Sequence, residues 1–256
     1  MLHDLYQRLA LLVAPFYVLL TATRARATRT AIVGQSGISA MMAFTDTDDT
    51  VIFLDKTENN PLKVNGRPAW ATSFNVETQE LGPFDIVTNT FCAGGAPAGD
   101  GTMVVSGGNG AVGLGGKATN ESVAPYFSVD GRFALNIWNA TTKSFTSRRK
   151  GLARKRWYPS MEPLADGRVA IIGGQVSESK GRLLVDPADE AARCSCFASI
   201  WQSGGGYSGT VNINEPTMEF YPARGVVKLP ILERAVPINL YPLTYLMSNG
   251  AYWCLQ

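Results

Sequence analysis

The sequence predicts an all-β fold built from short strands joined by tight turns. Three observations support this prediction. The 256-residue chain contains 26 glycines and 14 prolines, a content typical of turn-rich β proteins. Only 17% of the residues are charged and 45% are hydrophobic, so the chain can bury a substantial core. The third observation is an internal repeat in which each copy has the pattern of a β-hairpin.

The two clearest copies of the repeat begin at Cys92 and Tyr158. Their sequences, CAGGAPAGDGTMVVSGGN and YPSMEPLADGRVAIIGGQ, align without a gap at an offset of 66 residues. Two dipeptides recur in register, Asp-Gly at 100–101 and 166–167 and Gly-Gly at 107–108 and 173–174. A third copy, YPLTYLMSNGAYWC, begins at Tyr241, and a weaker copy spans 39–56.

Each copy predicts the same local structure. Asp-Gly or Asn-Gly predicts a two-residue hairpin turn with positive φ. Residues that favour strands follow it at 103–105, 169–172 and 252–253. The Gly-Gly pair then ends the strand and allows another backbone segment to approach closely. Further strands are predicted between the copies, at 68–74 and 134–138.

Four-stranded units with a Gly-Gly pair after the second strand predict a kelch-type β-propeller, of which this chain supplies about three blades. Equivalent positions of successive blades lie side by side around the axis of such a fold. Cys92 and Tyr158 are therefore expected to meet near the axis, and Tyr241 shares their position in the repeat.

The N-terminus predicts a secretory signal peptide at 1–27. Residues 9–22 are uncharged and too few for a comfortable membrane span, and 25–27 form a small-x-small cleavage site. Positive charges after the apolar run favour the alternative of retention as a signal anchor. We expect cleavage, an extracellular location and no stable membrane partner.

Charge and cysteine content exclude other classes of site. The net charge is only +2, and the basic run at 147–157 lacks interleaved aromatic residues, so no nucleic-acid partner is expected. Cys194 and Cys196 are too close for an easy mutual disulfide, and no pairing emerges for Cys254. The single histidine is His3, so no zinc ligand set is present.

The blocks FCAGGAPAGDGTMVVSGG and RWYPSMEPLADGRVAIIGG resemble the glyoxal oxidase branch of the copper radical oxidases, relatives of galactose oxidase. The likeness continues in GQSGISAMMAF, NEPTMEFYPARG and LPILERAVPINLYPLTYLMSNG, and it covers most of 31–250. The resemblance implies a partial oxidase-like propeller at 28–256. The family fold has seven blades followed by a further β domain.

The resemblance also implies a chemistry for Cys92 and Tyr158. In that family the cysteine of the first block is joined by a thioether to the tyrosine of the second. The modified tyrosine carries a radical and ligates copper. Copper and radical together oxidise small aldehydes to carboxylic acids, and dioxygen becomes hydrogen peroxide. The implied cofactors are copper and the Cys–Tyr radical, and the implied partners are a small aldehyde and dioxygen.

The chain departs from the family pattern at the remaining copper ligands, a tyrosine followed by a histidine and a later histidine. No histidine occurs beyond His3, and Tyr241 is followed by Pro242. The resemblance therefore implies the radical half of a site in a chain that is inactive alone. Segments 175–209 and 251–256 also depart from the pattern, which predicts an incomplete or mis-spliced gene model. The alternatives are a non-catalytic propeller that binds a partner, or a non-functional fragment.

Overall fold

The computed structural model describes residues 32–178, 211–222, 225–234 and 240–255. The predicted signal peptide, His3, Cys194 and Cys196 lie outside these residues. The described chain is almost entirely β-structure, which confirms the all-β prediction. None of its helices is long and apolar enough to cross a membrane.

The first sheet contains four antiparallel strands that follow one another along the chain, in the order β1-β2-β5-β6. A short hairpin, β3–β4, is inserted between its second and third strands. The strands are β1 (Met42–Thr47), β2 (Thr50–Leu54), β3 (Lys63–Val64), β4 (Arg67–Pro68), β5 (Ala71–Asn75) and β6 (Leu81–Phe84). The strand predicted at 68–74 is thus divided, because β4 ends at Pro68 and β5 begins at Ala71.

The second and third sheets repeat this four-stranded pattern. The second sheet comprises β7 (Gly94–Pro97), β8 (Met103–Ser106), β9 (Leu135–Asn139) and β10 (Ser144–Arg148), with a 3₁₀ turn at Leu114–Gly116. The third sheet comprises β11 (Ser160–Pro163), β12 (Val169–Ile172), β15 (Thr217–Tyr221) and β16 (Val226–Lys228). Its second and third strands are separated by the hairpin β13 (Gln175–Glu178) and β14 (Val211–Asn214).

The described chain continues through helix α1 (Pro230–Arg234) into a final hairpin, β17 (Leu243–Leu246) and β18 (Tyr252–Leu255). The four hairpins predicted from the repeat are therefore β1–β2, β7–β8, β11–β12 and β17–β18, and all four are confirmed.

The turn geometry predicted for these hairpins is wrong. Three-residue loops connect β7 to β8, β11 to β12 and β17 to β18. In the first, the Ala98 and Gly101 N–H groups donate to the Thr102 and Ala98 carbonyls, and only Gly101 has positive φ, at 82°. Asp100 keeps a negative φ, and its carboxylate accepts the N–H of Thr102. A turn followed by one left-handed glycine is the alternative that Asp-Gly also allows.

Successive sheets pack face to face over hydrophobic clusters. Between the first and second sheets, Ile52, Leu54, Val105 and Trp138 are buried. Between the second and third sheets the buried residues are Ala96, Val104, Leu135, Val169 and Ile171. Because β8 and β12 have neighbours on both faces, they contain the continuous apolar runs 103–105 and 169–172 rather than alternating patterns.

The first strands of neighbouring units lie against one another. A Cβ atom built on Gly94 of β7 would lie 2.7 Å from the carbonyl oxygen of Pro159, just before β11. The Thr244 hydroxyl of β17 donates to the Glu162 carboxylate of β11 at 2.9 Å. The residues that precede β7, β11 and β17 are thereby brought to one place in the molecule.

Candidate functional site

Cys92, Tyr158 and Tyr241 occupy the same backbone position in three successive units. Each lies two residues before the first strand of its unit. Each also has a left-handed backbone, with φ of 58° at Cys92, 62° at Tyr158 and 47° at Tyr241. Residues other than glycine seldom adopt this conformation, which costs about 1–3 kcal/mol and is concentrated at functional sites. The repeat register predicted from the sequence is therefore present in the backbone itself.

Backbone hydrogen bonds connect the three positions in series. The N–H of Tyr158 donates to the carbonyl of Cys92 at 3.0 Å, and the N–H of Tyr241 donates to the carbonyl of Tyr158 at 2.8 Å. A further bond links the same two units, from the Ser160 hydroxyl to the Pro242 carbonyl at 2.5 Å. Each bond crosses from one unit to the next, so the relative positions of the three residues are fixed by main-chain contacts.

Aromatic rings cluster around Tyr158, which is only 8% exposed. The ring of Trp157 lies 4.4 Å away between centroids, at 44°, and the ring of Tyr241 lies 5.1 Å away at 89°. Phe91 extends the cluster, 5.9 Å from Trp157. Trp157 is buried. The burial of Trp157 favours a packing role for this side chain.

Cys92 is the third residue of this cluster, beside Tyr158 and close to Tyr241. Cys92 is a half-buried, free cysteine. Burial raises the pKa of its thiol, and hydrogen bonding from Tyr158 and Tyr241 opposes that rise. Burial also raises the pKa of Tyr241, and the charge of a Cys92 thiolate adds to the effect. A small cleft of about 40 Å³ opens beside the thiol, and it is lined by Met41, Met42, Leu54, Thr90, Cys92, Ala93 and Tyr241.

A buried arginine supports the segment that carries Tyr158. The Arg156 guanidinium donates to the Glu219 carboxylate at 2.8 Å, to the Gly173 carbonyl at 2.7 Å and to the Thr217 carbonyl at 2.9 Å. Burial lowers the pKa of Arg156, and the charge and hydrogen bond of Glu219 oppose that fall. The carbonyl of Arg156 accepts the N–H of Gly108 at 3.0 Å. The segment before Tyr158 is therefore fixed to both the second and the third sheets.

A buried carboxyl group lies under the segment that carries Cys92. The Thr90 hydroxyl donates to the Asp55 carbonyl at 2.6 Å, and the Asp55 carboxylate accepts the Asn60 amide at 2.8 Å. Burial and the neighbouring Glu58 raise the pKa of Asp55 to about 7. Lys56 pairs with Glu58 at 2.9 Å and partly compensates the two carboxyl groups. The sequence does not indicate this acidic group, because its burial depends on contacts with residues distant in the chain.

The structure places Cys92 beside Tyr158, as the repeat register predicts. The thioether between them and the radical role of Tyr158 stay predictions. Tyr241 also belongs to the cluster. The sequence predicts its repeat position but no catalytic or metal-binding role for it. Sequence reasoning missed the supporting role of Arg156, for which the only signal is an arginine immediately before the Trp-Tyr pair.

The donor atoms near Tyr158 do not make a copper site by themselves. They are the phenol oxygens of Tyr158 and Tyr241 and the sulfur of Cys92, whereas Cu(II) sites in proteins usually include imidazole. No group of three His, Cys, Asp or Glu residues able to hold a metal ion occurs in the described part of the chain. Tyr158 is thus the one described residue that the resemblance assigns to copper, and the described residues do not complete its ligand set.

Comparison with known proteins gives one distant relative among curated sequences. The chain is 25% identical over 241 residues to the aldehyde oxidase GLOX of Vitis pseudoreticulata. The match covers 86% of this chain and 36% of that protein, so the chain spans about a third of the relative's length. No family model matches the sequence.

Solved structures give looser matches. One is a fungal alcohol oxidase of the AA5 family in complex with copper, with a TM-score of 0.32, 15% identity and coverage of 49% of this chain and 23% of the other. Another is YjhT, with a TM-score of 0.47, 10% identity and coverage of 88% of this chain and 64% of the other. Neither superposition reaches a TM-score of 0.5.

Proposed function

We propose that this chain carries the Cys–Tyr radical centre of a copper radical oxidase of the glyoxal oxidase type. The observation that carries the proposal is the placement of Cys92 beside Tyr158 at equivalent repeat positions, joined by the bond from the Tyr158 N–H to the Cys92 carbonyl. The distant likeness to an aldehyde oxidase supports the same chemistry. The three four-stranded sheets would then be blades of a kelch-type propeller.

The proposed reaction converts a small aldehyde, as its hydrate, to a carboxylic acid while dioxygen is reduced to hydrogen peroxide. Copper, when bound, would supply the second one-electron redox centre. Within the described residues, the protein's part is to hold the thiol and the phenol together and to shield the Tyr158 ring from water. We also propose that the protein is secreted after removal of 1–27, the route that the N-terminal apolar segment favours.

The test is a search for the thioether. The purified chain is incubated with Cu(II) in air and digested with trypsin, which places Cys92 in peptide 64–117 and Tyr158 in peptide 157–168. We expect a joined species that has lost two hydrogens. Cys92→Ser and Tyr158→Phe should abolish it, and Tyr126→Phe, a buried tyrosine packed against Trp70, should not.

A peroxide-coupled assay with glyoxal and methylglyoxal then tests the substrate class, in the chain and in the Cys92→Ser variant. Because the described residues do not complete a copper ligand set, we expect little peroxide from the chain alone, and any peroxide that does form should require Cys92. Separate peptides after copper and oxygen treatment would contradict the proposal and favour a non-catalytic binding module.

A further inference from the structure

Tyr241 contacts Tyr158 and the residue that follows Cys92 in the chain. Its N–H donates to the carbonyl of Tyr158 at 2.8 Å. Its hydroxyl reaches back across the cleft and donates to the carbonyl of Ala93, next to Cys92, at 3.3 Å. One side chain therefore bridges the unit that carries the thiol and the unit that carries the phenol.

The Tyr241 ring also limits the orientation of the Tyr158 ring. It meets that ring edge-on, with centroids 5.1 Å apart and an interplanar angle of 89°. This T-shaped geometry is the favourable arrangement of aromatic pairs and contributes about 0.5–1.5 kcal/mol beyond burial. Tyr241 itself is 42% exposed, so hydrophobic burial alone does not account for an aromatic residue at a strained, left-handed position.

We propose that Tyr241 is a positioning residue that holds the Tyr158 ring against the Cys92 thiol while the carbon–sulfur bond forms. This inference rests on the proposed function. In the reaction a bond forms between Cys92 Sγ and a ring carbon of Tyr158, and the S–H and ring C–H bonds break. Dioxygen accepts the two protons and two electrons and becomes hydrogen peroxide. Tyr241 exchanges no electrons and acts only through the geometry of Tyr158.

Two substitutions separate the ring of Tyr241 from its hydroxyl. Tyr241→Phe keeps the edge-on ring, and Tyr241→Ala removes it. Tyr245→Ala is the matched control, because Tyr245 is an exposed tyrosine on β17, the strand that follows Tyr241. Each full-length variant is treated with Cu(II) in air, and the rate of Cys92–Tyr158 cross-linking is followed by mass spectrometry. Thermal unfolding shows whether each variant remains folded.

We expect Tyr241→Ala to slow cross-linking by about tenfold or more, as for other misplaced reacting groups. Tyr241→Phe and Tyr245→Ala should cross-link at nearly the wild-type rate. Equal rates in all four proteins would overturn the inference. Cross-linking of Cys92 to Tyr241 in the wild-type protein would overturn it as well.

A second readout distinguishes this inference from the proposed function. If the wild-type protein forms no thioether, the proposed function fails, and the role of Tyr241 is decided by alkylation of Cys92. In a background with Cys194, Cys196 and Cys254 changed to serine, iodoacetamide should modify Cys92 several times faster in Tyr241→Ala than in Tyr241→Phe. Equal alkylation rates would show that the ring does not cover or order the site.

Discussion

The first sheet differs from the second and third sheets at the residue directly after the second strand. That residue is Asp55 in the first sheet, Gly107 in the second and Gly173 in the third. Its N–H has the same role in all three, donating to the carbonyl of Trp70 at 2.9 Å, of Ala134 at 3.0 Å or of Thr217 at 3.0 Å. The side chain differs because its surroundings differ. The repeat therefore preserves the backbone hydrogen bond at this position. The side chain there differs from sheet to sheet with the groups that surround it.

At Gly107 the selection is steric. A Cβ atom there would lie 2.5 Å from the carbonyl oxygen of Arg156, and φ is +76°. This close approach helps to keep the segment that leads to Tyr158 against the second sheet. At Asp55 the selection is electrostatic, because a buried carboxyl group is held by Asn60 and lies beside Glu58. Three substitutions test this contrast between backbone approach and side-chain charge.

The largest effect is expected from Gly107→Ala. The added methyl group collides with the Arg156 carbonyl, and the left-handed backbone is strained for alanine. We expect a loss of about 4 kcal/mol in the free energy of unfolding, measured by urea denaturation. Gly101→Ala is the control, because Gly101 has a φ of +82° and nothing within 4 Å of the added atom. It should lose only about 1–2 kcal/mol. Equal losses would mean that backbone strain, and not close approach, selects the glycine.

A smaller effect, which depends on pH, is expected from Asp55→Asn. The pKa of Asp55 is raised to about 7 in the folded protein, mainly by burial and by hydrogen bonding with Glu58. Between about pH 4 and pH 7 the folded state therefore holds a proton that the unfolded chain has released. The stability that this bound proton contributes is fully present below the pKa that Asp55 has in the unfolded chain. It is lost as the pH rises through the folded pKa of about 7.

The asparagine variant removes this proton uptake. The wild-type protein should lose on the order of 2 kcal/mol of stability through this group between about pH 5 and about pH 8, and Asp55→Asn should lose less. Urea denaturation at both pH values measures the difference. Asp48→Asn, an exposed change on the β1–β2 turn, should retain the wild-type pH dependence. An unchanged slope in Asp55→Asn would show that the group titrates normally.

The same contrast explains what the sequence could predict. The hairpins and the equivalence of Cys92, Tyr158 and Tyr241 follow from local signals such as Asp-Gly, Gly-Gly and apolar runs. The raised pKa of Asp55 and the buried bonds of Arg156 depend on segments that are distant in the chain. The left-handed backbone of Tyr241 was also beyond prediction, because its sequence neighbour Pro242 disfavours α-type conformations without specifying this one. Local patterns thus specify the units, and contacts between units specify the site.

The smallest effect is expected in the turns, where the units differ least. Asp100 accepts the Thr102 N–H at 3.0 Å, and in the final hairpin Asn249 accepts the Ala251 N–H at the same distance. Asp100→Ala should therefore cost about 1 kcal/mol in urea denaturation, the net contribution of one or two exposed hydrogen bonds. Asp100→Asn should be nearly neutral, because the amide oxygen can accept the same bond. If asparagine is as costly as alanine, the charge of Asp100 matters, and the turns of the second unit and the final hairpin are stabilised by different interactions.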